Sequence, residues 1–213
     1  MTAQAYSTFT SRLIALWFVI AFSASALHWI KTPPTVPPLP LGIAAGLPLI
    51  VFGVWYASSR TFRDFCMGLD RSVLTMIQSW RVAGFVFLVL YTHQILPGMF
   101  ALPAGWGDIS IGATAPFVAR NWGRRAHKVG FVLWQALGAI DLFTAVGLGS
   151  TVSLMHSEGV PTSAMTVLPM SLIPTFAVPL LLIFHFICIA QVYTQPVSER
   201  LLFDRATESM RSC

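Results

Sequence analysis

The feature that most constrains this chain is a series of long apolar runs that few charged residues interrupt. A helix that crosses the apolar core of a bilayer, roughly 30 Å thick, needs about 20 such residues. Runs of this kind occupy residues 13–30, 41–58, 82–100, 101–119, 129–154 and 170–191. We therefore predict an all-α integral membrane bundle of about six transmembrane helices, built as a single domain over residues 1–213.

The composition excludes an ordinary soluble domain. Only 10% of the residues are charged and 55% are hydrophobic, whereas soluble domains carry about 25% charged residues. The net charge of +5 does not indicate a nucleic-acid partner, because the basic residues flank the apolar runs, as in membrane proteins. The expected partner is the lipid bilayer, together with further copies of the chain or the subunits of a membrane complex.

The distribution of basic residues predicts the orientation. With six spans and a cytoplasmic N-terminus, only Lys31 falls outside, and the other Lys and Arg residues fall inside: Arg12, Arg60, Arg63, Arg71, Arg81, Arg120, Arg124, Arg125, Lys128, Arg200, Arg205 and Arg211. An excess of Lys and Arg in cytoplasmic loops orients membrane helices. We therefore predict that both termini, including a tail over residues 196–213, are cytoplasmic, in a membrane of the bacterial inner-membrane type.

Two segments depart from a simple apolar span. Residues 60–80 carry apolar side chains three or four apart, which predicts an amphipathic helix between spans two and three. This helix either lies in the membrane interface or extends the third span. Residues 101–119 contain three glycines and two prolines, so we predict a broken fourth span, and the basic residues that follow it favour a true crossing over a re-entrant loop.

Three ionisable residues in the predicted spans fall at one depth. His93 lies twelve residues from Arg81, Asp108 twelve from Arg120, and Asp141 thirteen from Lys128. At 1.5 Å per residue, these distances place all three roughly 18–20 Å from the inner boundary. Ionisable groups inside a membrane are costly and often functional, so we predict a buried polar site, to which Gln94 and Thr144 add hydrogen bonds.

A structural interpretation stands beside this functional one. Asp108 closes a Gly-Trp-Gly-Asp sequence, where its carboxylate could satisfy backbone donors near the membrane surface. Asp141 is harder to explain in that way, because it lies in the middle of an apolar helix.

The histidines suggest a second kind of site. Imidazole is a common axial ligand of haem iron, and His28 with His93, or His127 with His185, could form such pairs. No two of these histidines share a helix at the spacing that two-haem cytochromes use. The sequence therefore leaves the cofactor open, with none as the simpler expectation and haem b as the alternative.

Three classes of function remain. The first is a small transporter or conductor of a proton, an ion or a small polar solute, which uses the polar layer and the broken span. The second is a haem b-binding electron-transfer subunit. The third is an accessory or assembly subunit without chemistry, whose polar residues lock helix packing. No P-loop, GxSxG or HExxH motif occurs, so the sequence does not indicate an enzyme.

Overall fold

The computed structural model describes residues 3–33, 38–121, 128–154, 160 and 162–211. This part of the chain is helical and contains no strand. Its helices are α1 (Ala3–Ala26), α2 (Leu39–Ser58), α3 (Arg60–Met67), α4 (Arg71–Ile77), α5 (Phe85–Thr92), α6 (Gly98–Asn121), α7 (Lys128–Leu154) and α8 (Val178–Arg211). Two 3-10 segments, Gln78–Gly84 and Thr162–Thr166, and a π-helical turn, Ile173–Ala177, complete the regular structure. The all-α prediction is confirmed for the described residues.

Within the described residues, five helical stretches are long and apolar enough to cross a membrane. They are Tyr6–Ala26, Leu39–Ser58, Arg71–Thr92, Lys128–Val152 and Ile173–Thr194. Their outer surfaces carry large apolar side chains, such as the exposed Leu47, Ile50 and Val54 of α2. Extended exposed apolar surface marks a contact with another protein or with a membrane. The structure thus fits a multi-pass membrane protein.

The third of these stretches is a continuous rod made of α4, the 3-10 segment Gln78–Gly84 and α5. It spans Arg71–Thr92, so it begins eleven residues before the predicted third span, residues 82–100. The rod begins where it does because the Asp70 carboxylate accepts hydrogen bonds from the backbone N–H groups of Ser72 and Val73, at 2.7 and 3.2 Å. An aspartate that bonds to these donors is a strong helix N-cap.

The N-cap at Asp70 also divides the segment in which one amphipathic helix was predicted. Residues 60–80 form two elements: α3 stands alone, and α4 begins the rod after Gly68 and Asp70. The structure differs here from the prediction of a single helix, because a new cap interrupts the periodic pattern. The alternative prediction, that this segment extends the third span, agrees with the structure for residues 71–80.

Helix α6 is uninterrupted, although a broken span was predicted over residues 101–119. It runs for 24 residues and contains both Pro103 and Pro116. Its many glycine, proline and polar residues make it less apolar than the five stretches named above, among which it does not appear. The glycines do not break the helix. They let neighbouring helices pack closely against it.

The last helix also differs from the prediction. Helix α8 is 34 residues long and joins the predicted sixth span to the predicted tail without an interruption. It follows the π-helical turn, and Pro179 lacks the N–H that would bond to the carbonyl of Thr175 in an α-helix. The indole Nε1 of Trp17 donates to that carbonyl at 3.2 Å, which connects α1 to the start of α8.

Two contacts define what we call the α3 end of the bundle. Gln191 of α8 donates to the backbone carbonyls of Cys66 and Leu69, at 3.0 and 2.9 Å. The hydroxyl of Ser72 donates to the carbonyl of Ala119 at the end of α6, at 3.1 Å. At the opposite end, Thr162 donates to the carbonyl of Gly149 near the end of α7. The candidate site lies between these two ends.

Candidate functional site: a buried arginine shared by two aspartates

Arg81 lies in the interior of the bundle, and its side chain is only 1% exposed. It projects from the 3-10 segment in the middle of the Arg71–Thr92 rod. A short 3-10 stretch inside a longer helix often marks a functional or strained position. The sequence prediction placed Arg81 at a span boundary among the orienting basic residues, and the structure corrects this: Arg81 is part of the core.

Two carboxylates from two other helices neutralise this guanidinium. Arg81 Nε donates to Oδ1 of Asp108 on α6 at 2.7 Å, and Arg81 Nη2 donates to Oδ2 of Asp141 on α7. The aspartate side chains are less buried than Arg81, at 14% and 19% exposure. We call these three residues the Arg–Asp cluster. Within the described residues, no donor bonds to Oδ2 of Asp108 or to Oδ1 of Asp141, so each carboxylate keeps one oxygen open.

A histidine completes the surroundings of the guanidinium. Arg81 Nη1 donates to the carbonyl of Gly138 at 3.0 Å and contacts His185 Nε2 at 3.3 Å. Because a guanidinium has only donors, Nε2 of His185 must accept, and the ring proton belongs on Nδ1. His185 Nδ1 then donates to Oε1 of Gln135. Four of the five N–H groups of Arg81 therefore have partners, and His185 is held as one neutral tautomer.

The hydrogen bonds continue from His185 toward the α3 end. Gln135 Nε2 donates to the hydroxyl of Thr75 at 3.1 Å, and that hydroxyl donates to the carbonyl of Arg71 at 2.8 Å. Gln135, Thr75 and His185 are all fully buried. Each donor in this series points away from Arg81, so a single directed chain of hydrogen bonds links the cluster to the first turn of the rod. Such a chain strengthens each of its members.

The charges of the cluster do not cancel. Two ionised carboxylates and one guanidinium leave one net negative charge when His185 is neutral. An uncompensated charge is costly in surroundings of low dielectric constant. A bound proton or a bound monovalent cation would neutralise the cluster, and the two open carboxylate oxygens are where either would bind.

Glycines on three helices make this assembly possible. A Cβ atom at Gly84 would lie 2.4 Å from Cβ of Asp108, one at Gly107 would lie 1.7 Å from Oδ1 of Asp141, and one at Gly138 would lie 2.5 Å from Cε1 of His185. Separations under 3.0 Å are not tolerated between such atoms, so each of these glycines faces a side chain of the site. Small residues at helix contacts are a common device for close packing in membranes.

A cavity of about 70 Å³ reaches Asp108 from the end of the bundle opposite α3. Its walls come from α2, α5, α6, α7 and the segment around Thr162–Thr166, and Asp108 is the one charged residue among its described lining. One water molecule needs roughly 10–15 Å³, so the cavity has room for a few waters or one small organic group. An outer cleft lined by His28 and Lys31 shares four lining residues with this cavity: Thr32, Pro33, Ser163 and Thr166.

The structure brings together two of the three residues predicted to share a layer. Asp108 and Asp141 meet at Arg81, whereas His93 caps the end of α5 and is exposed. Gln94 follows in an exposed turn with a φ of 57°. Thr144 is exposed and donates to the carbonyl of Ile140 on its own helix. These three do not join the cluster, because the rod ends at Thr92 and the predicted depth of His93 assumed a later span.

The other histidines that the structure describes lie in different surroundings. His28 is exposed, with a φ of 60°, in the turn after α1, and His127 lies outside the described residues. His185 has both ring nitrogens engaged, one by Arg81 and one by Gln135. It could bind haem iron or another metal only after losing one of these contacts. The described residues contain no cluster of three or more potential metal ligands.

Sequence reasoning missed Arg81, Gln135 and Thr75 as members of the site. Arg81 was read as a boundary charge because it follows Trp80 and precedes an apolar run, as interfacial residues do. A signal was nevertheless present: the polar positions Arg71, Thr75, Gln78 and Arg81 recur three or four residues apart, which marks one face of a helix. Read as a buried stripe, this pattern would have placed Arg81 inside.

Comparison with protein families matches residues 38–193 to a family described as a domain of unknown function (DUF8737). The chain belongs to this family. The DUF8737 match includes every residue of the Arg–Asp cluster and of the hydrogen-bonded chain from His185 to Arg71. Comparison with curated proteins and with solved structures gives no match. The DUF8737 assignment carries no activity, so the function has to be argued from the site.

Proposed function

We propose that this chain spans a membrane and moves a proton or a small cation across it by way of the Arg–Asp cluster. The observation that carries this proposal is the sharing of one buried guanidinium by two partly exposed carboxylates, one of which, that of Asp108, lines a cavity. Intramembrane ionisable groups of this kind are characteristic of ion pathways and proton relays.

The cluster and the cavity supply two of the parts that such a pathway needs. The cavity gives access to Asp108 from one end of the bundle. From Arg81, the hydrogen-bonded chain through His185, Gln135 and Thr75 extends polar contacts toward the α3 end. The excess negative charge of the cluster favours a proton or a cation over an anion. The five apolar stretches support a membrane location. With α6 (Gly98–Asn121) as a sixth crossing, the basic residues at the ends of the spans favour a cytoplasmic position for both termini.

Flux through proteoliposomes tests this function. A pH gradient across vesicles that contain the purified protein should collapse faster than across empty vesicles, as followed with an internal pH-sensitive dye. Asp141→Asn should reduce the difference strongly, because it removes an exchangeable carboxylate and leaves Asp108 to neutralise Arg81. Asp64→Asn is the matched control, since Asp64 is an exposed residue of α3. A wild-type rate from Asp141→Asn, with the protein correctly inserted, would exclude this mechanism.

A second function is favoured by a different observation. The close fit of Gly84, Gly107 and Gly138 around the cluster also suits an accessory subunit, in which the ion pairs only hold three helices together. This alternative expects no flux from the wild-type protein. It also expects a partner protein that co-purifies with the wild type and is lost in variants that disturb the helix packing.

A further inference from the structure

The walls of the cavity above Asp108 are mostly apolar. Phe87 and Phe100 lie edge to face, with ring centroids 5.5 Å apart, and both line the cavity together with Leu142, Val146 and Val178. Hydroxyl groups also line the cavity, and those of Ser163 and Thr166 line the outer cleft as well. A site with apolar walls and a single charged group is the usual form of a pocket for a small molecule that has a charged end.

The carboxylate of Asp108 is available to such a molecule. Its Oδ1 accepts from Arg81 at 2.7 Å, and its Oδ2 accepts from no described donor. The Arg–Asp cluster carries one net negative charge when both aspartates are ionised. A bound monovalent cation would therefore leave the cluster neutral, whereas an anion would add to the excess.

We propose that this cavity binds a small organic ammonium ion, with its nitrogen at Asp108 and its apolar part against the wall that Phe87 and Phe100 form. This inference rests on the proposed function, because it names a substrate class for the same carboxylates. The ammonium donates to Oδ2 of Asp108, and the charges on both groups strengthen this hydrogen bond. The apolar part replaces water against aliphatic and aromatic walls, which is favourable.

Two other occupants fit less well. A divalent metal ion needs several oxygen ligands, and the described residues contain no cluster of three candidate metal ligands. A neutral solute of the same shape would leave the net negative charge of the ionised cluster uncompensated in an apolar site, which costs free energy. Lys31 lines the outer cleft rather than the cavity and is exposed, so salt screens its repulsion of a cation.

Calorimetric titration of the purified protein in detergent tests this inference with n-butylammonium as the probe and n-butanol as its neutral counterpart. We expect saturable binding of n-butylammonium that is about tenfold or more tighter than that of n-butanol. Asp108→Asn should weaken n-butylammonium binding to the level of n-butanol, because one carboxylate remains for Arg81 and the fold is preserved. Asp64→Asn should leave the affinity unchanged.

A variant that leaves all carboxylates intact provides a second test. Ala145 lines the cavity from α7, so Ala145→Leu should fill part of it and weaken n-butylammonium binding while the melting temperature stays close to that of the wild type. Wild-type affinity in this variant would place the binding elsewhere and overturn the inference. Absence of saturable binding, or equal affinity for n-butanol, would overturn it as well.

The two proposals fail in different ways. If n-butylammonium does not bind but the pH gradient still collapses in a manner that depends on Asp141, the proposed function stands and the substrate class is wrong. If n-butylammonium binds and no flux is observed, the site is a binding site and the transport proposal is wrong.

Discussion

At the scale of single residues, Arg81 determines the organisation of the site. A guanidinium has five donors in a fixed planar arrangement, and Arg81 uses four of them on Asp108, Asp141, Gly138 and His185. Lysine has a single ammonium group and could not reach all four partners at once. The identity of this residue therefore matters, beyond its charge alone.

Replacement of Arg81 by lysine tests that requirement. We expect Arg81→Lys to lower the melting temperature in detergent and to reduce flux, although the net charge is unchanged, because at least one carboxylate and the His185 ring lose their donor. Arg60→Lys is the matched control, since Arg60 is exposed at the start of α3. Equal melting temperatures for both variants and the wild type would show that the planar arrangement is unimportant.

His185 is the second residue whose role depends on burial. It is 0% exposed and bonds to both Arg81 and Gln135. His185→Phe keeps the ring and removes both contacts, which leaves buried polar groups unpaired at a cost of about 1–3 kcal/mol. His93→Phe, at an exposed position, should change the free energy of unfolding by less than about 0.5 kcal/mol. Similar effects of the two substitutions in chemical unfolding would contradict the assigned hydrogen bonds.

The sequence pointed to some of these residues and not to others. Asp108 and Asp141 could be found because a carboxylate in an apolar run is unusual whatever its partners are. Arg81 could not be assigned in the same way, because an arginine beside a tryptophan has the same appearance at a membrane boundary and in a core. The N-cap at Asp70, eleven residues earlier, and the polar stripe from Arg71 to Arg81 distinguish the two.

At the scale of secondary-structure elements, the glycines of the rod, α6 and α7 matter more than the prolines. Glycine and proline within residues 101–119 predicted a break, yet α6 is continuous. The physical reason is that Gly107 and Gly112 lie against other elements: a Cβ atom at Gly112 would be 2.4 Å from the backbone nitrogen of Val82. A single sequence does not show which face of a helix meets a neighbour. A glycine that permits close packing therefore cannot be distinguished from a glycine that breaks the helix.

Two glycines of α7 give a matched test of this interpretation. Gly138→Ala places a methyl group against the His185 ring, so we expect a loss of about 1–3 kcal/mol in the free energy of unfolding. Gly147→Ala meets nothing within 4 Å and should be neutral or stabilising, because alanine favours the helix by about 0.5–1 kcal/mol. Equal effects of the two changes, measured by chemical unfolding in detergent, would show that the close approach at Gly138 is not required.

At the scale of the whole molecule, the apolar runs predicted the helical class and most of the long helices. They did not predict where the rod begins and ends, because caps and turns depend on local hydrogen bonds such as those of Asp70. The orientation in the membrane stays a prediction from the basic residues. This orientation requires that Lys31 and Arg120 lie on opposite sides of the membrane.

Cysteine labelling in sealed, uniformly oriented vesicles tests this orientation. Lys31→Cys and Arg120→Cys should react with a membrane-impermeant maleimide from opposite sides. Cys66 should contribute little background, since it is 1% exposed and burial raises the pKa of its thiol to about 12, so the reactive thiolate is scarce at neutral pH. The other two native cysteines are replaced by serine for this measurement. Labelling of both positions from the same side would contradict the orientation.

The central claim, that Asp108 and Asp141 share Arg81 in the interior, is tested most directly by the melting temperatures of a set of charge variants in one detergent. Asp108→Asn and Asp141→Asn should each retain most of the stability, because one carboxylate still neutralises Arg81. The double variant leaves a buried unpaired charge and should lose about 3–5 kcal/mol. Addition of Arg81→Gln to the double variant should recover much of this loss. A double variant that melts at the wild-type temperature, or one that Arg81→Gln destabilises further, would contradict the account.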